Sequence, residues 1–382
     1  MEITITRDSP VPLRVQLLNQ LRHLILSRQW SPGYHIPSEP ELKRQLNISR
    51  STIRQALSIA ETEGLIERIP GKGTFVAHLP SNEGAQCLIG YIGGASTNTT
   101  YQYQILIGAE RGTKDKGYRV LFNNLSQPVE EDELIDHLLD DQIAGLLIWP
   151  LVYDNPSRRL TQLINQGSLP IVLIDRPLPG FECDCVTSSN YTGAYATTKH
   201  LVEQGHRHII FLSRPLFQLE PVAERFRGYQ QMLRDANLPP RDPWLVGSEN
   251  QEMDYKYSKA YRAKVANQEI EQIVEHLKKT PQPTAIFAMH DQVASLALRA
   301  AKVIGLRVPD DLSIVGFDDQ DIATHLDVPL TTVAQDGFAI GERAAKLLIK
   351  RIEGDDSPPR QEIVDTQLII RASTAPPYGC TR

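Results

Sequence analysis

The sequence has only four cysteines, too few and too irregularly spaced for a disulfide framework or a zinc site. Cys183 and Cys185 are separated by one residue, while Cys87 and Cys380 stand alone. No stretch approaches the roughly 18 consecutive apolar residues that cross a membrane, and the amino terminus lacks the apolar segment of a signal peptide. These absences predict a cytoplasmic protein without a metal site, a membrane contact or disulfides.

Motifs for common enzyme chemistry are also missing. The sequence contains no G-x-S-x-G elbow, no G-x-x-x-x-G-K-(S/T) phosphate loop and no H-E-x-x-H zinc motif. Gly90, Gly93 and Gly94 follow a predicted strand but miss the G-x-G-x-x-G spacing of a dinucleotide site. We therefore expect no catalytic residues and no cofactor, and an α/β enzyme is a distant alternative.

Length, composition and charge point to a multidomain globular protein with one basic end. A chain of 382 residues with 41% apolar and 23% charged residues is typical of two or three globular domains. Residues 1–78 hold 10 Lys or Arg against 7 Asp or Glu, net +3, whereas the remainder holds 30 against 39, net −9. We expect only the amino-terminal part to contact a polyanion.

Residues 37–76 begin with the pattern of two short helices joined by a tight turn. Ser38 and Glu41 form a capping-box pair that opens the first helix. Ser49 is a good N-cap for the second helix, whose apolar residues recur at i, i+3, i+4 and i+7. Its opposite, polar face carries Arg50, Ser51, Arg54, Gln55 and Ser58. The order predicts a helix-turn-helix with a basic front edge, although each residue alone also fits an ordinary solvated helix.

A hairpin pattern follows the second helix. Strand residues lead up from Leu65 and back from Thr74, and Gly71, Lys72 and Gly73 lie at the turn between them. Glycines let a backbone come close to a DNA groove, and a lysine can contact phosphates. We expect this hairpin to act as a wing.

This stretch closely resembles the winged helix of the GntR family of bacterial regulators. The family pattern of PSE, EL, SR-x-T-(I/V)-R-x-AL, E-x-EGL and G-x-GTFV is matched in order from Pro37 to Val76. One position departs from it, since Pro40 stands where relatives often have a DNA-contacting arginine. The resemblance implies DNA contacts by the second helix and the wing. The residues expected to bind DNA are Ser38, Glu39, Arg50, Ser51, Thr52, Arg54, Gly71, Lys72, Gly73 and Thr74.

A helix precedes this stretch and a linker follows it. An apolar stripe at helical spacing is made by Leu13, Leu17, Leu21, Leu24 and Ile25. Residues 77–86 contain Pro, Ser, Asn and Gly without periodicity, which is typical of a linker. We therefore expect a DNA-binding domain in residues 1–76, a second domain in residues 87–375, and a tail at 376–382.

From Cys87 onward, short apolar runs alternate with amphipathic stretches. The runs begin at Cys87, Tyr118, Gly145, Ile171, His208, Trp244, Ala285 and Leu312. The helices predicted between them are 103–116, 131–140, 158–166, 191–204, 224–236, 267–278 and 292–304. Strands separated by helices require parallel sheets with right-handed crossovers. With about four such units on each side of residue 190, the sequence predicts an α/β fold of two doubly wound parallel-sheet lobes.

Polar residues follow several of these runs, at the strand ends where ligands bind in such folds. They include Trp149, Asp175, Asp291 and Asp318, together with residues 96–101. Carboxylates, an arginine and an aromatic ring suit a polyhydroxylated ligand, because hydroxyl groups both donate and accept while a ring covers the apolar sugar face. A single Asp at a strand end can equally be a helix cap or a turn former.

The second half resembles the effector domain of the LacI/GalR regulators, which is similar to periplasmic sugar-binding proteins. The resemblance spans about residues 87–375 and is carried by segments such as ERFRGY, AMHDQVA and LSIVGFDD. It implies that Arg225 and Asp291 grip ligand hydroxyls. The residues expected to bind the effector are Tyr101, Trp149, Asp175, Asn190, Arg225, His290 and Asp291.

Departures from that family's pattern leave the effector open. Ser189 and His290 stand where the family usually has Asp and Asn or Ser, and residues 251–266 look like a polar insertion after the sixth strand. His290 is either a ligand donor or a loop residue. The insertion either covers the cleft or is a surface loop.

Together the two resemblances imply a ligand-controlled transcription regulator: a repressor that binds a palindromic operator in double-stranded DNA as a homodimer and is released by a small sugar. A dimer is expected because the base contacts of one DNA-binding domain, worth ~1–3 kcal/mol each, cannot single out a site in a genome. The combination resembles the arabinose-responsive repressors of bacilli, without fixing arabinose as the effector. The ligand could instead be a corepressor or be nucleoside-like, while a transport-associated sugar-binding protein would need a signal peptide.

Overall fold

The structure is a computed structural model that divides into two compact units. The head comprises residues 1–86 with 353–356, and the body comprises residues 87–352 with 357–382. The residues that the structure describes are 3, 5, 12–26, 29–77, 87–94, 100–124, 130–150, 157–247, 259–279 and 282–377. Apart from Ala77, the predicted linker lies outside the described residues, as does the predicted tail beyond residue 377.

The described part of the head contains three helices and a small antiparallel sheet. The helices are α1 (Leu13–Leu26), α2 (Glu39–Leu46) and α3 (Arg50–Thr62), and the strands are β1 (His35–Ile36), β2 (Ile66–Ile69) and β3 (Gly73–Val76). The apolar stripe of α1 packs with that of α3, where Leu17, Leu21 and Ile53 are fully buried. The predicted winged helix-turn-helix is present, and β1 adds a third strand in the order β1-β3-β2.

The first lobe of the body is built on a fully parallel six-stranded sheet. Its strands are β4 (Cys87–Gly93), β5 (Tyr118–Asn124), β6 (Gly145–Ile148), β7 (Ile171–Ile174), β8 (Asp184–Ser188) and β14 (Gln361–Val364), in the order β14-β8-β7-β6-β4-β5. Its helices are α4 (Thr100–Lys114), α5 (Glu130–Asp140), α6 (Arg158–Gln166) and α12 (Gly337–Ile352). The central strands β6 and β7 are buried along their whole length because helices cover both faces, which explains their continuous apolar sequence.

The second lobe has a four-stranded parallel sheet and a short antiparallel ladder. Its strands are β9 (Ile209–Ser213), β10 (Trp244–Leu245), β11 (Ala285–Ala288) and β12 (Ser313–Val315), in the order β10-β9-β11-β12. Strands β13 (Thr332–Gln335) and β15 (Thr366–Ile369) form the ladder. The helices are α7 (Asn190–Glu203), α8 (Glu220–Asp235), α9 (Lys259–Lys278), α10 (Asp291–Val303) and α11 (Ile322–His325). No helix within the described ranges is long and apolar enough to cross a membrane.

Among the described elements the chain passes between the lobes three times, so it is not divided simply at residue 190. The passages lie at Ser189 between β8 and α7, at Asp336 between β13 and α12, and at Asp365 between β14 and β15. At the first passage the hydroxyl of Ser189 accepts a hydrogen bond from the backbone N–H of Thr366, at 3.0 Å. The predicted two lobes are present, and α12 and β14 return to the first one.

Element boundaries differ most around the predicted insertion. Helix α9 begins at Lys259, whereas the sequence pattern predicted a helix from residue 267, so residues 259–266 of the supposed insertion are helical. Residues 251–258 lie outside the part of the chain that the structure describes. The predicted start of this helix was wrong because the helix begins in a polar segment, in which apolar periodicity gives no signal. That residues 251–266 form an insertion stays a prediction.

Candidate functional site

The exposed face of α3 presents the predicted DNA-binding residues. The hydroxyl of Ser49 accepts the backbone N–H of Thr52 at 3.1 Å, which caps the helix. Arg50, Ser51 and Arg54 are exposed, whereas Thr52 is half-buried. The basic edge of α3 is therefore exposed and does not pack into the hydrophobic core of the head.

Arg54 is held in place by Glu39 from the first turn of α2. Its Nε and Nη2 donate to the two carboxylate oxygens of Glu39 at 3.3 and 3.2 Å. The Arg54 side chain is 66% exposed and that of Glu39 is 25% exposed. Glu41 accepts both the backbone N–H and the hydroxyl of Ser38, which fixes the start of α2. Glu39 thus orients an arginine that remains accessible.

The wing tip is a tight turn that requires glycine. Gly71 and Gly73 have φ angles of +74° and +124°, and Lys72 donates its backbone N–H to the carbonyl of Ile69 at 3.0 Å. A Cβ at Gly73 would lie 2.4 Å from the ring of His35 on β1. The third strand therefore supports the wing, with Lys72 exposed at the tip and Thr74 half-buried behind it.

In the body, the first lobe contributes an aromatic and acidic wall at the carboxyl ends of β6 and β7. The hydroxyl of Tyr101 donates to Asp175 at 3.0 Å, and burial beside that carboxylate raises the pKa of Tyr101. Trp149 meets Tyr101 edge to face with ring centres 5.8 Å apart. Arg176 lies over the Trp149 ring at 5.5 Å and 3.5 Å from Asp175. Sequence reasoning did not select Arg176 for the site.

The second lobe presents Arg225 from α8. Its Nε donates to the amide oxygen of Asn190 at 2.8 Å, and its Nη1 donates to the carbonyl of Met289 at 2.8 Å. Its Nη2 lies 3.1 Å from Asp318, and the guanidinium lies 3.8 Å from the centre of the Phe317 ring. Arg225 is 6% exposed, so these contacts fix its position before any ligand arrives.

Asp318 has a more central position than the sequence suggested. It follows β12 with a φ of +104° and accepts hydrogen bonds from the side-chain amides of Gln335 and Gln320, at 2.8 and 3.1 Å. Burial raises the pKa of Asp318, while Arg225 opposes that rise and Asp175 of the first lobe adds to it. Asp318 was noted as a strand-end acid but was not among the predicted effector residues. The two consecutive acids in the segment GFDD, Asp318 and Asp319, were the sequence signal that could have identified this site residue.

Asp291 is completely buried at the start of α10. One carboxylate oxygen accepts the hydroxyl of Thr332 at 2.5 Å, and the other accepts the backbone N–H of Gln320 at 2.7 Å. Burial, together with the neighbouring Asp318, raises the pKa of Asp291 to about 8. Both oxygens already have partners inside the protein.

A further ion pair, between Arg214 and Glu269, follows β9. Arg214 donates to both carboxylate oxygens of Glu269 on α9 at 2.8 and 3.2 Å, and Glu269 is 1% exposed. His290, the N-cap of α10, accepts the backbone N–H of Val293 with Nδ1, which leaves the ring proton on Nε2. Burial, with Arg214 nearby, lowers the pKa of His290 well below its usual value, so the ring is neutral. No pattern in the sequence pointed to Arg214 or Glu269.

Comparison with known proteins decides which family this arrangement represents. The model of the gntR family of bacterial regulatory proteins matches residues 13–76, and that of the periplasmic binding protein-like domain matches residues 198–374. The arabinose metabolism transcriptional repressor of Geobacillus stearothermophilus is 30% identical over 375 residues, covering 96% of this chain and 99% of the relative. The chain belongs to the GntR-type regulators with a periplasmic-binding-protein-like domain.

Another curated regulator matches a large part of this chain. The HTH-type transcriptional regulator CelR of Thermobifida fusca is 30% identical over 271 residues, covering 70% of this chain and 74% of CelR. The solved structure of a CelR–cellobiose complex has the same fold, with a TM-score of 0.64 at 24% identity over 85% of this chain and 91% of that one. The GntR-type regulator is therefore a ligand-responsive transcription regulator and not an enzyme.

Proposed function

We propose that this regulator is a repressor that binds a palindromic operator as a homodimer and leaves it when an uncharged sugar enters the cleft. The observation that carries the proposal is the set of arginine–carboxylate pairs at the strand ends, beside the wall of Tyr101 and Trp149. Hydroxyl groups can donate to such carboxylates and accept from such arginines, while a ring covers the apolar sugar face. The names of two relatives, an arabinose repressor and a regulator solved with cellobiose, support a sugar.

The charge balance of the cleft favours a neutral ligand. Three arginines and three carboxylates pair off as Arg176 with Asp175, Arg214 with Glu269, and Arg225 with Asp318. The pKa of Asp291 is about 8, so this carboxyl group is mostly protonated at neutral pH and adds little charge. A phosphorylated sugar would have to separate one of these pairs, and breaking a buried pair costs roughly 3–5 kcal/mol.

We assign direct contacts with the effector to Arg225 and Asp318 in the second lobe and to Tyr101, Trp149 and Asp175 in the first. Their burial and fixed partners support preorganised donors and acceptors on both sides of the cleft.

Asn190 and Asp291 then act as positioning residues. Asn190 holds the Nε of Arg225, and Asp291 holds the loop at Gln320 that carries Asp318. His290 offers its Nε2–H as a donor, because Nδ1 is already bonded inside the protein.

On the DNA side, we place the front edge of α3 in a major groove and the wing in the adjacent minor groove. The exposed Arg50, Ser51 and Arg54 support base and phosphate contacts. Glu39 accepts hydrogen bonds from the Arg54 guanidinium and so orients it toward the DNA. The remaining predicted DNA-binding residues, Ser38, Thr52, Gly71, Lys72, Gly73 and Thr74, fix helix starts or form the wing tip.

An exposed apolar patch on the first lobe supports a homodimer. Tyr103 and Ile107, one turn apart on α4, are 65% and 37% exposed, and Phe338 at the start of α12 is 39% exposed. The carbonyl of Phe338 abuts Gly108 of α4, which places Phe338 next to the turn of α4 that carries Ile107. Such a patch marks an interaction surface on this cytoplasmic regulator. A second copy of the chain is its expected partner, because a palindromic operator requires two DNA-binding heads.

The mechanism is reciprocal linkage between sugar and DNA. A sugar that contacts both walls favours closure of the lobes, and in the dimer closure changes the spacing of the two heads. A coupling of ~1–3 kcal/mol between the two sites is enough for release from the operator.

A thermal-shift screen of the full chain tests the proposal with pentoses, hexoses, disaccharides and nucleosides, each beside its phosphorylated form. We expect a neutral sugar to raise the melting temperature, and Asp318→Asn or Tyr101→Phe to abolish that rise. Asp310→Asn, an exposed acid of the same lobe, serves as the matched control. Stabilisation by phosphorylated ligands alone would overturn the neutral-sugar assignment. Unchanged operator affinity in the stabilising sugar would overturn the linkage.

A further inference from the structure

A groove lies on the edge of the second-lobe sheet, away from the effector cleft. It has a volume of about 390 Å³ and lies open beside His208 and Ile210, at the beginning of β9. Strand β10 starts only opposite Leu212, so it leaves this part of β9 uncovered. The effector cleft lies instead at the carboxyl ends of the strands, which makes the groove a separate site.

The groove is basic. Four basic side chains, His208, Arg241, His276 and Lys279, line it against the single carboxylate of Asp242. Arg241 is half-buried, and within the described part of the chain neither it nor Lys279 forms an ion pair. A half-buried guanidinium without a carboxylate is unusual, because its desolvation is not offset by an opposite charge.

Burial is the main cause that lowers the pKa of both histidines in the groove, and Glu275 opposes the fall for His276. The nearby Arg241 adds to the fall in the pKa of His208, and Lys279 adds to that of His276. The His276 ring stacks on the indole of Trp244 with centres 4.9 Å apart and an angle of 15° between the planes. Within the part of the chain that the structure describes, the groove therefore combines two cations without an ion pair, Arg241 and Lys279, with an aromatic surface.

We propose that this groove is a second ligand site that binds a phosphate-bearing small metabolite. A planar guanidinium pairs with two phosphate oxygens at once, and a lysine adds a point charge that tolerates different geometries. Trp244 supplies an apolar wall for the carbon skeleton of the metabolite. The groove therefore favours a negatively charged ligand. The effector cleft favours a neutral one, because Arg176, Arg214 and Arg225 each have a carboxylate partner there.

Helix α9 connects the groove with the cleft. His276 in the groove and Glu269, the partner of Arg214, are seven residues apart on this helix, so they lie on one face about 10 Å apart along the axis. A ligand that moves the end of α9 changes how Glu269 holds Arg214. This coupling, unlike the phosphate site itself, rests on the proposed function of the cleft.

Calorimetric titration of the full chain with inorganic phosphate and with pyrophosphate tests the site without DNA or sugar. We expect saturable binding that weakens about tenfold or more in Arg241→Gln and in Lys279→Gln. Lys264→Gln makes the same charge change at an exposed position of α9 outside the groove and should bind like the natural protein. No saturable binding, or an equal loss in Lys264→Gln, would overturn the site.

The coupling is tested with the neutral sugar that stabilises the protein in the thermal screen. We expect saturating phosphate to change the dissociation constant of that sugar, and Glu269→Gln to remove the change while phosphate still binds. An unchanged constant would refute the coupling and leave the phosphate site standing. If no sugar stabilises the protein, the function proposed for the cleft fails instead.

Discussion

Asp291 begins α10 with both carboxylate oxygens bonded inside the second lobe, to Thr332 and to the backbone of Gln320. Its pKa of about 8 means that at neutral pH the group is mostly a neutral acid that ties the Asp318 loop to α10. The sequence predicts an acid at this strand end but not its protonation, because burial and the neighbouring Asp318 are tertiary facts.

The raised pKa of Asp291 makes the stability of the body depend on pH. Between about pH 4 and pH 8 the folded protein holds a proton that the unfolded chain has lost, so this contribution to stability falls as pH rises through the window. We expect Asp291→Asn, which cannot titrate, to flatten the fall. Thermal unfolding of the full chain from pH 5 to pH 9 measures how steeply stability falls with pH. The exposed Asp310→Asn serves as the control. A mutant profile as steep as the natural one would contradict the prediction.

Arg54 gives a residue-scale prediction in the head. Arg54→Ala should lower operator affinity by about 1–3 kcal/mol. Folding and sugar binding should stay intact, because the side chain is 66% exposed. Fluorescence anisotropy with operator DNA measures the loss, and Arg14→Ala, an exposed arginine of α1, is the control. Equal affinity of the natural and Arg54→Ala proteins would remove Arg54 from the DNA contact.

Among the elements, α4 and α12 show how a distant segment completes the first lobe. Their backbones touch through glycines: a Cβ at Gly341 would lie 1.9 Å from the carbonyl of Ile105, and one at Gly108 would lie 2.0 Å from that of Phe338. Helix α12 also buries Ile340, Ala344 and Leu348 against the sheet. Periodicity shows that this segment is amphipathic but not which lobe receives it.

Gly341→Ala should therefore destabilise the body. The added methyl group must push α12 from α4, at a cost of about 1–3 kcal/mol, the range for overpacked cores. Lys350→Ala, on an exposed position of the same helix, should leave stability nearly unchanged. Urea unfolding of both variants measures the difference. A Gly341→Ala protein as stable as Lys350→Ala would show that the helices separate freely.

At the scale of the whole body, a hydrogen bond between Thr100 and Asp321 spans the cleft. The hydroxyl of Thr100, at the start of α4, donates to Asp321 beside α11 at 2.6 Å and joins the first lobe to the second. The crossing segments are tied separately at Ser189 and Thr366. The lobes are thus linked both at the crossings and by the bond between Thr100 and Asp321.

Thr100→Val removes that bond and keeps the shape of the side chain. If the bond favours closure around the ligand, the variant should bind the sugar about fivefold more weakly, corresponding to roughly 1 kcal/mol for one hydrogen bond. Calorimetry with the stabilising sugar measures the change. Thr161→Val, the same substitution on α6, is the control. Unchanged affinity in Thr100→Val would show that the bond plays no part in closure.

The sequence by itself determined the head and the kind of body that follows it. Caps, turns and apolar periodicity act over a few residues, so Ser49, the stripe of α3 and the wing glycines could be read directly, as could most strands between Cys87 and Val315. Only the tertiary structure decided which side chains meet. The pairs of Arg225 with Asp318 and Arg214 with Glu269 join separate elements whose strand ends are brought together by the crossovers, and no local pattern encodes that meeting.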